Sequence, residues 1–362
     1  MNSAPRRLAT FFLLIGLLNA CASTGSPESL HRPGFFVYSL PSASLLIADT
    51  PAAPPRQVIA LPPPADCALH AIHPAPRGSW IAIEWDCPSG LRVQLLDTAS
   101  RATRFALRDP TLDNRLLAWH PAGRALYLKV GTLSNPQTVR LEVDTGQATD
   151  LNLPGFLYDL APSPDGARLL YSLSNGIGFG SETWLGAENA QNASQLLVEP
   201  ASILALAQFS PDGRQIAYIK MPDSTAQYPP GELWIMASDG SQAHFVAQAD
   251  AGRGFGPAWS PRGDQIAFVS RRNPAANQSQ GTQGLDDPAE AASLALSLYT
   301  LADASLRVWP AALLKPPAWS PEGTLLVFTA LENDTMTVWQ LEIATQRAEK
   351  LYTAACCAGW LR

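Results

Sequence analysis

The sequence predicts an all-β fold, a β-propeller of four-stranded antiparallel blades. Three observations predict it. The segment AWSPRGDQIAFVS (258–270) returns as AWSPEGTLLVFTA (318–330), and near-repetition at such an interval means one supersecondary unit copied around an axis. Pro 32 and Gly 25 accompany only 15% charged residues. So much proline is foreign to helix interiors, where the ring removes a donor and clashes, and fits many short strands joined by turns. Finally, the repeat holds four strand-like segments in roughly 45 residues, the size of a propeller blade.

Six copies align on a turn. They begin AIHPAPRG at Ala71, AWHPAGR at Ala118, APSPDGA at Ala161, QFSPDGR at Gln208, AWSPRGD at Ala258 and AWSPEGT at Ala318. The prolines Pro74, Pro121, Pro164, Pro211, Pro261 and Pro321 are spaced by 47, 43, 47, 50 and 60 residues. An apolar or aromatic residue ends the first strand. Ser or His then precedes Pro, which presets φ, and Asp-Gly or a relative supplies the residue with φ > 0. An alternating strand such as QIAYIK or QIAFVS makes the unit a hairpin. Third strands follow (LRVQLLDT, TVRLEVDTG, ELWIMASDG, SLYTLADAS, TVWQLEIATQ), then weaker fourth strands (ATRFAL, ATDLNL, AHFVAQ, LRVWP, AEKLYT).

The WSPDG…IAF hairpin resembles the WD40-like (PD40) propeller repeat of the TolB family, best over Phe209 to Tyr218, Trp259 to Phe268 and Trp319 to Phe328. The resemblance covers about residues 68–362. It implies the fold and says little of function, because propellers carry many unrelated activities.

Before the first copy lie FFVYSL (35–40), SLLIADT (44–50) and RQVIALP (56–62), which read as blade strands two to four lacking a first. The chain ends in AACCAGWLR, in which CAGWLR matches PAWSPE when Trp360 is set on Trp319. Together these fragments make one further blade, which closes the ring and removes exposed edges. Seven blades are favoured. Six, with the N-terminal strands packed elsewhere, is the alternative.

Residues 1–20 read as a signal peptide, with a basic n-region at Arg6 and Arg7 and an apolar run, LATFFLLIGLL. That run of about eleven residues is too short to span a bilayer. LNAC (18–21) resembles the lipobox of bacterial lipoproteins, although Asn19 departs from the usual small or apolar residue. The resemblance implies cleavage before Cys21 and lipidation of its thiol. Residues 21–34 then form a flexible tether, and residues 35–362 the propeller. The expected location is extracytoplasmic, membrane-anchored through lipid alone, on the periplasmic side or the cell surface.

Cys67 and Cys87 lie nearly symmetrically about the turn near Arg77, on adjacent antiparallel strands, which predicts a disulfide in an oxidising compartment. Cys356 and Cys357 are neighbours. Successive side chains in a strand point to opposite faces, so a bond between them needs a distorted peptide and is not expected.

No G-x-S-x-G elbow, P-loop, H-E-x-x-H or EF-hand loop is present, so neither an enzyme nor a cofactor is expected. No Cys or His pair has zinc spacing. The five histidines do not cluster; His73 and His120 occupy the Ser position of the turn. Asp165 and Asp212 read as turn residues bonding nearby amides. Trp119, Trp259, Trp319 and Trp360 share one repeat position, that of interblade packing. Four positions before the Trp, the inner strands carry Ala68, Arg115, Tyr158, Ala205, Phe255, Lys315 and Cys356. Of these, Arg115, Tyr158 and Lys315 are candidates to hold an anionic ligand in the channel, although they make a poor acid–base set. The insert at residues 271–295 reads as a surface loop with a short helix over DDPAEAASLA.

A net charge of −6 without a basic stripe argues against nucleic acid. The expected role is protein binding or scaffolding at the cell envelope. The alternative is a propeller enzyme, or a protein binding carbohydrate or a small anion, acting through the central channel.

Overall fold

The computed structural model describes residues 33–109, 111–131, 136–153, 156–224, 230–250, 254–271 and 294–362. Residues 1–20, expected to be a signal peptide, Cys21 and most of the 271–295 insert, including its expected helix, lie outside them. Among the described residues there is no helix, and all strands fall into seven four-stranded antiparallel sheets.

Six blades are continuous in sequence. Their inner strands are Ala68–Pro74, Asn114–Trp119, Phe156–Pro162, Ser202–Phe209, Ala258–Trp259 and Ala318–Trp319, which define blades 1 to 6. The last two are only two residues long because Pro257, and Pro316 with Pro317, precede them and cannot donate to a ladder. The seventh or seam blade joins Gly34–Ser39, Ser44–Ala48 and Gln57–Ala60 to the inner strand Ala355–Leu361. Its register sets Phe35 opposite Trp360 and Tyr38 opposite Cys356. The ring therefore has seven blades, and the six-blade alternative falls.

Second strands, expected to alternate, are buried on both faces. Ile81, Ala82 and Ile83 are all fully buried, as are Leu326 and Val327, because each blade packs a neighbour on either side. The cores lie between blades. One cluster joins Phe35, Val37 and Trp360 of the seam blade to Val327 and Val338 of blade 6; another joins Phe36, Tyr38 and Leu45 to Ile81, Ile83 and Trp85 of blade 1.

The turn register of blade 1 differs from expectation. In blades 2 to 6 the amide of His120, Ser163, Ser210, Ser260 or Ser320 donates across the hairpin to the residue five further on; in blade 1 that donor is Ala75, to the Trp80 carbonyl. The turn proline is thus Pro76, Pro74 takes the Trp position, and His73 belongs to the inner strand. Two prolines two residues apart made either alignment plausible, and the hairpin bond decides it. Asp165 and Asp212 do sit in turns, accepting from the Ala167 and Arg214 amides.

The inner strands of blades 1 to 4 and of the seam blade each carry a bulge. In three of them a neighbouring blade holds a bulge amide. Glu84 Oε1 accepts from Leu116 N at 2.8 Å, Asp159 Oδ2 from Ala207 N at 2.6 Å, and Thr329 Oγ1 from Cys357 N at 3.1 Å. A bulge re-aims the side chains beside it.

Candidate functional site: the channel mouth

Where the inner strands reach their turns, five of the seven surround a cavity of about 600 Å³. Prolines and indoles make up much of its wall. Pro74, Pro211, Pro257 and Pro317 stand beside Trp259, Trp319 and Trp360. The indoles also tie blades together. Trp119 Nε1 donates to the His73 carbonyl at 3.0 Å, Trp259 Nε1 to Gln208 at 3.0 Å, and Trp319 Nε1 to Ala258 at 2.9 Å. Trp360 Nε1 is buried without a partner.

Polar groups enter at two points. His73 Nε2 lies 2.9 Å from Glu84 Oε2, and the Glu84 residue is 3% exposed. Burial opposes ionisation of Glu84, but the His73 bond and charge, the Leu116 amide and the Arg115 charge outweigh it and hold the carboxyl below its usual range. Lys315 Nζ donates to the His70 carbonyl at 2.8 Å. Burial lowers the pKa of His70, and the Lys315 and Arg115 charges add to that against the pull of Glu84.

Of the three channel candidates, only Lys315 lines this cavity. Arg115 is exposed on the inner strand of blade 2, close enough to bias His70, Glu84 and Lys129. Tyr158 is a bulge residue of blade 3; its hydroxyl accepts from Ser174 Oγ at 3.0 Å and its ring meets Phe156 edge-on. Lys315 and Arg115 both act on His70, and Tyr158 is not among the groups that do. Among the described residues no group of three or more His, Cys, Asp or Glu could hold a metal.

Cys67 and Cys87 are bonded to each other. Cys356 and Cys357 bring their sulfurs to 2.7 Å. Sequence reading also passed over a loop in blade 3. Ile177 and Phe179 are 74% and 70% exposed, and Asp223 Oδ2 accepts from the amides of Gly178 and Gly180, both at 2.8 Å. The alternating glycines of NGIGFG were the signal.

No protein-family model and no curated protein matches the chain. Solved structures do. TolB from Acinetobacter baumannii is 16% identical, over 82% of this chain and 67% of that one, with a TM-score of 0.51. The shared feature is the β-propeller fold. An oligogalacturonate lyase in complex with manganese is 12% identical over 88% of this chain and 84% of its own, at 0.54. A puromycin-hydrolyzing peptidase from Mycobacterium tuberculosis is 14% identical over 86% of this chain and 50% of its own, at 0.57. At such identities the likeness is one of architecture, which binding proteins and enzymes share.

Proposed function

We propose that this chain is an exported, lipid-anchored propeller that binds an envelope protein by taking an extended segment of it into the channel mouth. The cavity carries this reading. Prolines and indoles offer rigid apolar surface that loses little freedom on binding, and Lys315 at its wall suits an acidic group on the partner. Export is supported by the Cys67–Cys87 bond, since disulfides persist in oxidising compartments, and by the signal-like N-terminus. The likeness to TolB supports a non-enzymatic propeller. Nucleic acid has no place in this reading, and the membrane is met through the lipid on Cys21.

Crosslinking of the tagged chain in intact envelopes tests the mouth. One protein should be captured by the wild type and by Phe245→Ala, a variant of an exposed outer-strand residue. Its capture should be lost in Trp259→Ala and Lys315→Ala. Equal capture by all four would refute docking at the mouth. Cys21→Ser should release the chain from membranes; retention after a salt wash would remove the anchor.

The His73–Glu84 pair favours a second reading, an enzyme or a carbohydrate- or anion-binding protein, in which Glu84 orients His73 toward a ligand in the cavity. Binding of small acidic oligosaccharides that is lost in His73→Ala, with no protein captured, would select it.

A further inference from the structure

The sulfurs of Cys356 and Cys357 lie 2.7 Å apart. Carbon atoms in van der Waals contact settle at about 3.5–4.0 Å, and the sulfurs of a disulfide at about 2.05 Å. The separation lies between a bond and an ordinary contact and puts each sulfur within direct reach of the other. The backbone explains how neighbouring residues come to face each other. In a regular strand their side chains would point to opposite faces. Here the strand bulges opposite Val37, Cys357 takes φ 58°, and its amide is held by Thr329 Oγ1. The alternation is cancelled, and both sulfurs enter one cluster with Phe36, Tyr38 and Trp85.

Burial restricts access unequally. The two residues are 2% and 7% exposed, and it is Cys357 that lines the channel-mouth cavity. Tyr38, opposite Cys356, is held neutral, its pKa pushed up to about 12 by burial and then by the two sulfurs, and its hydroxyl donates to the Leu61 carbonyl.

We infer that Cys356 and Cys357 form a redox-active vicinal disulfide that exchanges with small thiols and disulfides reaching Cys357 from the channel mouth. In formation, a low-molecular-weight disulfide RSSR is attacked by the Cys357 thiolate, giving a mixed disulfide and one RS⁻. The Cys356 thiolate then displaces the second RS⁻. The protein loses two electrons and two protons, and RSSR becomes two RSH. Reduction is the reverse, with an incoming thiolate attacking Cys357 sulfur.

The test uses the full chain equilibrated natively in glutathione buffers of graded poise, quenched in acid and alkylated in denaturant. Trypsin cutting after Lys350 yields Leu351–Arg362, which contains both cysteines. In oxidised glutathione this peptide should be unalkylated and two hydrogens lighter than the dithiol. In reduced glutathione it should be doubly alkylated, through one two-electron transition separate from that of Cys67–Cys87. In Cys356→Ser, with no resolving thiol, Cys357 should retain glutathione as a stable adduct. Double alkylation at every poise would overturn the inference. So would a pair that stays oxidised until the protein unfolds, or a Cys356→Ser variant, folded by thermal melt, that takes up no glutathione.

Discussion

Blade 6 and the seam blade solve the same packing problem with different means. Trp319 and Trp360 hold equivalent places, opposite Leu326 and Phe35, and are 5% and 9% exposed. Trp319 also donates to the neighbouring blade, and Trp360 does not. On the seam's other flank the Trp position of blade 1 is Pro74, which carries no indole. The joint between the chain's two ends thus lacks the indole–carbonyl tie on both sides. Phe35 compensates, meeting Trp360 edge-on at 5.6 Å and stacking on Tyr352 at 6.0 Å, with fully buried Trp85 on the blade 1 side. The indole tie is also absent where Pro162 and Phe209 hold the Trp position of blades 3 and 4, so the lesson is that the tie is optional: at the seam the Gly34–Ser39 ladder to Ala355–Leu361, the Thr329–Cys357 bond and buried aromatic area hold the joint without it.

Alanine substitutions probe the comparison most strongly. Trp319→Ala should cost about 3–5 kcal/mol, as core aromatics do. Trp360→Ala should cost less by about 1–2 kcal/mol, because it deletes a buried, unsatisfied N–H along with the ring. Denaturant unfolding reads both, and a near-zero effect at Trp360 would mean the seam strand is dispensable. Next, Cys67→Ser with Cys87→Ser opens a bond spanning 20 residues, for an expected loss of about 3 kcal/mol. Non-reducing peptide mapping of the wild type should recover Cys67 joined to Cys87.

Trp→Phe substitutions sharpen the contrast further. Trp319→Phe keeps much of the ring and strands the Ala258 carbonyl, for about 1–3 kcal/mol; Trp360→Phe should be close to neutral. Equal costs would contradict the missing tie. The smallest effect concerns pH. Burial, with the Arg140 charge, lowers the pKa of His120 in the turn of blade 2, against the pull of Glu188. The unfolded chain therefore binds a proton near pH ~6.5 that the folded chain does not. Stability is intact above that pH and falls as pH drops through the folded pKa. His120→Ser, the residue four other blades use, should flatten the decline of Tm between about pH 7 and 5.

Much of the ring was legible in the letters. Trp360 could be set on Trp319 because the strand-to-strand period survives at the chain's end. The error at Pro74 came from HPAPRG, in which two prolines fit one turn and only the Ala75–Trp80 bond selects between them. The closeness of Cys356 and Cys357 was missed for a deeper reason. The alternation rule holds for regular strands, and a bulge is a property of the pairing, which a single strand does not display. The channel mouth was illegible for the same reason, since its wall takes residues from five blades and exists only once the ring has closed.

That closure also sets a clock. Gly34–Ser39 is the first described strand to be synthesised and Ala355–Leu361 the last, yet they are partners. At about 5–20 residues per second, roughly 15–60 s separate their emergence. Throughout that interval GFFVYS, five of its six residues destined for burial, offers a bare edge to any other nascent chain. The protein's hazard is therefore greatest during translation, and faster elongation, or a holdase on the first blade, shortens or shields the exposure without altering a single contact of the finished fold.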